Sequence, residues 1–177
     1  MNTSKLIIIV LITTILAACG SKKKDFVAVY KSDMDTQIAW TDNPIPGLVK
    51  NPLAKSGIYV CKVDSIHPYG PTFNMAVKNI SEKKFNHVKI SCWMKAENQS
   101  AEPSLVLDIH DANNKSVEWL GKKFTGLELN TKDWEYYEYE INLSEKDRLK
   151  DSNVYRIYIT NEKTSGVYCD DLEISFY

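Results

Sequence analysis

The chain has 177 residues, with 22 Lys plus Arg against 23 Asp plus Glu and a formal charge of −1 at pH 7. That balance leaves no basic excess of the kind a nucleic-acid binder presents to phosphates. Ten Tyr and four Trp stand against seven Gly and six Pro, a composition that suits a sheet-rich domain with aromatic positions to spare.

In chain order the first feature is a leader. Lys5 precedes an apolar run from Leu6 to Ala17, too short to span a bilayer but right for the hydrophobic region of a signal peptide. The stretch Leu16-Ala17-Ala18-Cys19, with small residues directly before a cysteine, resembles the lipobox of bacterial lipoproteins. The resemblance implies cleavage after residue 18 and acylation of Cys19, which makes the protein membrane-attached through lipid. Residues 19–25 then form a polar tether whose lysines sit near anionic headgroups. Gly20 rather than an acidic residue follows Cys19, which points to the outer membrane of a cell envelope, on its periplasmic or its exposed side. Residues 26–177 remain, one ordinary domain with enough chain to bury a core.

Within that domain, period-two alternation predicts strands at residues 26–30, 57–64, 72–77, 88–95, 104–110, 116–124, 134–143, 153–160 and 166–177. Loops are signalled by Asp42-Asn43-Pro44, Pro46-Gly47 and His67-Pro68-Tyr69-Gly70-Pro71. Helix is nearly absent, although residues 144–149 read as one turn opened by Ser144. Parity turns Val88, Ile90, Cys92 and Met94 inward and leaves Trp93 outward among Lys89, Ser91 and Lys95. It likewise sets Leu105, Leu107 and Ile109 against Val106, Asp108 and His110. Short strands recurring between turn residues predict an all-β fold, an antiparallel β-sandwich.

Cys61, Cys92 and Cys169 each lie in a strand-like apolar run. They read either as small buried hydrophobes or as one disulfide with one free thiol, and spacing does not choose the pair. No Cys/His spacing suits zinc, and His67, His87 and His110 are scattered. There is no Gly-x-Ser-x-Gly, no His-Glu-x-x-His and no phosphate-cradling glycine loop, so no enzymatic activity is expected.

Four ordered segments carry a resemblance: Ser56-Gly57-Ile58-Tyr59-Val60-Cys61-Lys62-Val63, Ile90-Ser91-Cys92-Trp93-Met94-Lys95-Ala96, Thr131-Lys132-Asp133-Trp134-Glu135-Tyr136-Tyr137 and Val167-Tyr168-Cys169-Asp170-Asp171-Leu172. Together they resemble the landmarks of carbohydrate-binding modules with the galactose-binding-like jelly roll, of the type fused to cellulases and xylanases. The resemblance implies a structural calcium near the start of the first strand and of the last, at Asp35 and Asp170. Calcium takes several hard oxygen ligands, so carboxylates from two chain segments become cross-linked by it. The alternative is that Asp170 and Asp171 make a polar strand entry or a bulge.

Sugar binding needs a flat aromatic face beside side chains that hydrogen-bond hydroxyls. Trp93 is the first candidate by parity, and Trp119 is the second, with Asp108 and His110 on the preceding strand. Trp40 and Tyr69 lie in loops that can rim a groove, and Trp134 matches a structural landmark and is assigned to the core. The first functional expectation is non-catalytic binding of a polysaccharide or glycan, with Trp93 and Trp119 as stacking platforms and Asp108, His110 and Lys95 as polar contacts. The second, from a different class, is an envelope lipoprotein that uses the same sandwich to hold a protein partner.

Overall fold

The computed structural model describes residues 24–36, 40–41, 44–145 and 147–177. The leader, Cys19 and most of the tether lie outside the described residues. Among the described residues ten strands build two antiparallel sheets that face one another, an all-β sandwich as the alternation predicts. The first sheet runs β2(Leu48–Lys50), β3(Tyr59–Val63), β10(Val167–Phe176), β5(His87–Ala96), β8(Glu135–Asn142), with β1(Ala28–Ser32) also paired to β10. The second runs β4(Phe73–Ala76), β9(Val154–Thr160), β6(Ser104–His110), β7(Ser116–Lys123).

The period of two places one row of each strand between the sheets. Ile90, Cys92 and Met94 of β5 meet Leu105, Leu107 and Ile109 of β6 and Tyr155, Ile157 and Ile159 of β9 in one fully buried cluster. Each such side chain contributes roughly 1.5–3 kcal/mol by leaving water. At one end an aromatic group closes the core: Tyr30 packs on Phe73 at 4.8 Å between ring centroids, Phe85 on Phe176 at 5.0 Å, and Trp40 on Phe73 at 5.9 Å. Trp40 therefore packs against the core, not along a groove rim.

β10 is the organising strand of the first sheet. One edge pairs with β5 throughout, while the other is shared, Val167–Cys169 going to β3 and Leu172–Phe176 going to β1. The handover is a bulge at Asp170 and Asp171, where Asp171 has φ 50°. Asp170 thus sits inside the last strand, not at its entry.

Two local expectations are corrected. Among the described residues of the segment 144–149, Arg148 N–H bonds Glu145 O at 3.3 Å in a turn, but Asp147 adopts φ 73°, outside the helical region, and Arg148 is drawn inward. Its guanidinium donates to Glu118 of β7 and, through Nη1, to Asn142 O at 2.7 Å. The helix among the described residues is instead α1(Val77–Ile80), which buries Val77 and Ile80. The segment 41–52, read as loop, also contains β2, an exposed edge strand held by its register with β3 and not by any apolar pattern of its own.

Cys61, Cys92 and Cys169 are buried free thiols. Cys61 and Cys169 are register partners across β3 and β10, and the Cys61 thiol donates to Pro46 O at 3.0 Å.

Candidate functional site

The outward row of β6 is Ser104, Val106, Asp108 and His110. Register sets it beside Lys123, Gly121 and Trp119 of β7 and beside Thr160, Tyr158 and Arg156 of β9. Trp119 therefore stands on the outer face of the second sheet, a side set by its register opposite Asp108. What the ring does there depends on Gly121, two residues further along β7. A β-carbon on Gly121 would lie 2.1 Å from Trp119 Cη2 and 2.4 Å from Cζ3, so the ring lies down on the strand in the space left by the missing side chain. One ring face covers the sheet while the residue remains 53% exposed.

The indole is fixed in that pose. Its Nε1–H donates to Tyr158 Oη at 3.2 Å, and Tyr158 packs edge-on against Tyr69 with centroids 5.5 Å apart. Val106, between Gly121 and Tyr158 in register, is fully buried although its parity is outward. Burial raises the Tyr158 hydroxyl above its usual range, and the bond from Trp119 works against that shift. Three aromatic side chains from β7, β9 and a loop thus form one surface. Tyr69, expected at a groove rim, is part of it.

Polar groups stand on both sides of the aromatics. At one end Asp108 Oδ2 contacts His110 Nε2 at 2.9 Å, and Oδ1 accepts from Ser116 Oγ at 2.6 Å. The second ring nitrogen of His110, Nδ1, faces Asn114 O at 3.1 Å. His110 is buried by these partners even though it belongs to the outward row. Ser116 bonds the carboxylate and not the imidazole, so the trio orders a surface instead of activating a nucleophile. At the other end a cleft of about 280 Å³ is lined by Glu102, Ser104, Trp119, Lys123, Thr160 and Lys163, among others. There Glu102 Oε2 takes Lys123 Nζ at 3.3 Å and Lys163 Nζ at 3.2 Å.

Trp93 and Lys95 lie on the opposite side of the molecule, on the outward row of β5. The structure thus brings Trp119, Asp108 and His110 together and separates them from Trp93 and Lys95. Nor is the face of Trp93 free, since Lys55 Nζ stands 3.9 Å from the ring centroid and Tyr136 packs against it at 5.6 Å. Lys55 belongs to a loop, residues 51–58, that is strapped over this sheet. Trp134 Nε1–H donates to Leu53 O at 2.8 Å, Ser56 N–H to Asp170 Oδ2 at 3.0 Å, Ser56 Oγ–H to Asp171 Oδ1 at 2.8 Å, and Ile58 N–H to Asp35 Oδ1 at 2.9 Å. Trp134, assigned to the core from sequence, instead holds this strap and does not enter the core cluster.

The same bonds describe the expected calcium ligands. Asp35 and Asp170 both grip the 51–58 loop through main-chain N–H groups. Asp170 is fully buried, and that burial pushes its carboxyl up to about 6. Among the described residues no three His, Cys, Asp or Glu side chains converge closely enough to hold an ion. Two carboxylates supply at most four of the six to eight oxygens calcium takes, so an ion here needs main-chain carbonyls as well.

Tyr158 and Arg156 are the surface residues that sequence reasoning passed over. The signal was present, because residues 153–160 alternate and Tyr155, Ile157 and Ile159 claim the inward row, which leaves an aromatic and a guanidinium outward.

No protein-family model matches the chain, and no curated protein matches it in sequence. Solved structures do share its fold. It is similar to the CBM22-1 xylan-binding domain of Paenibacillus barcinonensis Xyn10C, with a TM-score of 0.53 at 11% identity over 86% of this chain and 94% of that one. The CBM22-2 xylan-binding domain of the same protein gives 0.54 at 16% identity over 84% and 99%, and a xylan-binding module described as CBM15 gives 0.53 at 11% over 84% and 96%. At these identities the likeness establishes the two-sheet sandwich of carbohydrate-binding modules.

Proposed function

We propose that this protein is a non-catalytic, lipid-anchored cell-envelope protein that binds a polysaccharide or glycan on the outer face of the β4-β9-β6-β7 sheet. The observation that carries the reading is the Trp119 ring lying flat on Gly121 beside Tyr158 and Tyr69. A flat, rigid aromatic surface flanked by polar groups at either end is what the apolar face of a sugar ring and its hydroxyls require. The solved neighbours described as xylan-binding share the sandwich, which supports carbohydrate as the ligand class without choosing the sugar. Lipid attachment rests on the lipobox resemblance at Cys19. Calcium bridging Asp35 and Asp170 is retained as a structural proposal.

The test is a binding screen of the purified protein against neutral and charged polysaccharides, with and without calcium, beside Trp119→Ala. Binding that disappears in a folded Trp119→Ala variant supports the reading. No binding across the panel moves the function to the protein-interaction class. Anchoring is checked separately by cell fractionation and metabolic labelling with a fatty acid, where Cys19→Ala is expected to abolish the label and release the protein from membranes.

A further inference from the structure

The chain contains two arginines, and the fold treats them differently. Arg148 is saturated: Nε and Nη2 bond Glu118, Nη2 also meets Glu145 at 2.9 Å, and Nη1 bonds Asn142 O. Arg156 is left open. Among the described residues its hydrogen bond runs from Nη2 to Asn114 Oδ1 at 2.6 Å, a neutral acceptor, while Nε is buried with no partner at all.

The carboxylate that faces Arg156 in register, Asp108, is engaged by His110 and Ser116. Asn74, its register neighbour on β4, is neutral. A guanidinium is always charged and presents its N–H groups as a planar fork matched to a carboxylate. Half-buried and with no ion pair among the described residues, it carries a desolvation cost that its present partners do not repay.

Its position supplies the missing anion's source. Arg156, Asp108 and Trp119 occupy one row across β9, β6 and β7. The row spans two strand spacings, roughly 10 Å, with Tyr158 two residues along β9. A sugar stacked on Trp119 therefore brings the substituents of its neighbour in the polymer to Arg156.

We propose that the ligand is an acidic polysaccharide, in which a uronate carboxylate pairs with Arg156 while an adjacent sugar stacks on Trp119. This rests on the carbohydrate-binding reading and adds the charge of the ligand to it. The experiment measures binding of the purified protein to a panel of uronate polymers, glucuronoxylan and polygalacturonate among them, each beside its carboxyl-reduced copy. Wild type is expected to bind the carboxylate form at least fivefold more tightly at low salt, with the preference shrinking as salt rises. Arg156→Gln is expected to bind both forms alike, at the level wild type shows for the reduced polymer, and Arg156→Lys to keep part of the preference.

Equal binding of carboxylate and reduced polymers by wild type overturns the proposal and leaves sugar binding standing. A preference that survives in Arg156→Gln overturns the assignment to this residue. Failure of wild type to bind any polymer, charged or neutral, overturns the carbohydrate reading itself. The wild-type comparison does not depend on how well either variant folds.

Discussion

The six-membered ring of Trp119 lies over Gly121 so closely that a β-carbon on the glycine would stand 2.1 Å from Cη2. Glycine is the residue that lets the indole lie flat on β7, so the two positions act as a unit. Gly121→Ala is expected to lift the ring. The obstructing atoms belong to an exposed side chain that can tilt, so stability should change by less than about 1 kcal/mol. Affinity for the bound polysaccharide should fall at least threefold. Trp119→Ala, which removes the surface altogether, is expected to cost tenfold or more, about 1.4 kcal/mol. Titration calorimetry beside a thermal melt separates the two effects, and a Gly121→Ala protein that binds like wild type refutes the flat ring as the contact.

Trp93→Ala should show the reverse pattern. Trp93 is covered by Lys55 and the 51–58 loop, so its loss removes packing and a cation–π contact without touching the other sheet. The expected outcome is destabilisation of about 1–3 kcal/mol in a denaturant titration, with polysaccharide affinity changed by less than twofold.

Asp170 sets a pH dependence whose sign follows from its burial. Its folded carboxyl is raised to about 6, above the ordinary aspartate value near 3.9, so between these limits the folded chain holds the proton that the unfolded chain has released. Stability should therefore fall as pH rises from about 4 to about 6 and level off above that. The measurement is a series of melts in chelator-treated buffer. Asp170→Asn is expected to flatten the slope in this window and to be the more stable protein at pH 7. Calcium, if it bridges Asp35 and Asp170, should raise the wild-type melting temperature at pH 7 and leave Asp170→Asn unmoved; an unchanged wild-type melt removes calcium from the account.

Arg148→Ala should be the most damaging of these changes. Arg148 is 8% exposed and joins Glu118 of β7 to the Asn142 carbonyl at the end of β8, so truncation leaves a carboxylate and a carbonyl without their donor. A loss of about 2–3 kcal/mol is expected, seen as a drop of several degrees in melting temperature.

Much of this architecture is legible along the chain because a strand with one buried face has a period of two, which β5 and β9 show most plainly. β2 shows none of it: its three residues are all exposed, so nothing in their pattern marks them, and only the edge of β3 makes them a strand. The turn within 144–149 departs from helical geometry at Asp147 for a related reason. Local propensity does not register the pull of Glu118, which is distant in sequence, on Arg148.

The outward direction of Trp93, Asp108 and Arg156 follows from alternation alone, since parity is a property of a single strand, whereas that of Trp119 follows from its register opposite Asp108. Which of two outward surfaces each one joins depends on strand order across the sheets, a matter of long-range pairing that one strand's sequence does not contain. The loop over Trp93, the space above Gly121 under Trp119 and the buried Nε of Arg156, which has no partner among the described residues, are consequences of that pairing. Hydrophobic periodicity is local, and it is enough to specify the sandwich and its inward rows. That one tryptophan is covered and the other lies open comes from long-range contacts, because burial of an outward side chain depends on segments brought over it from elsewhere in the chain.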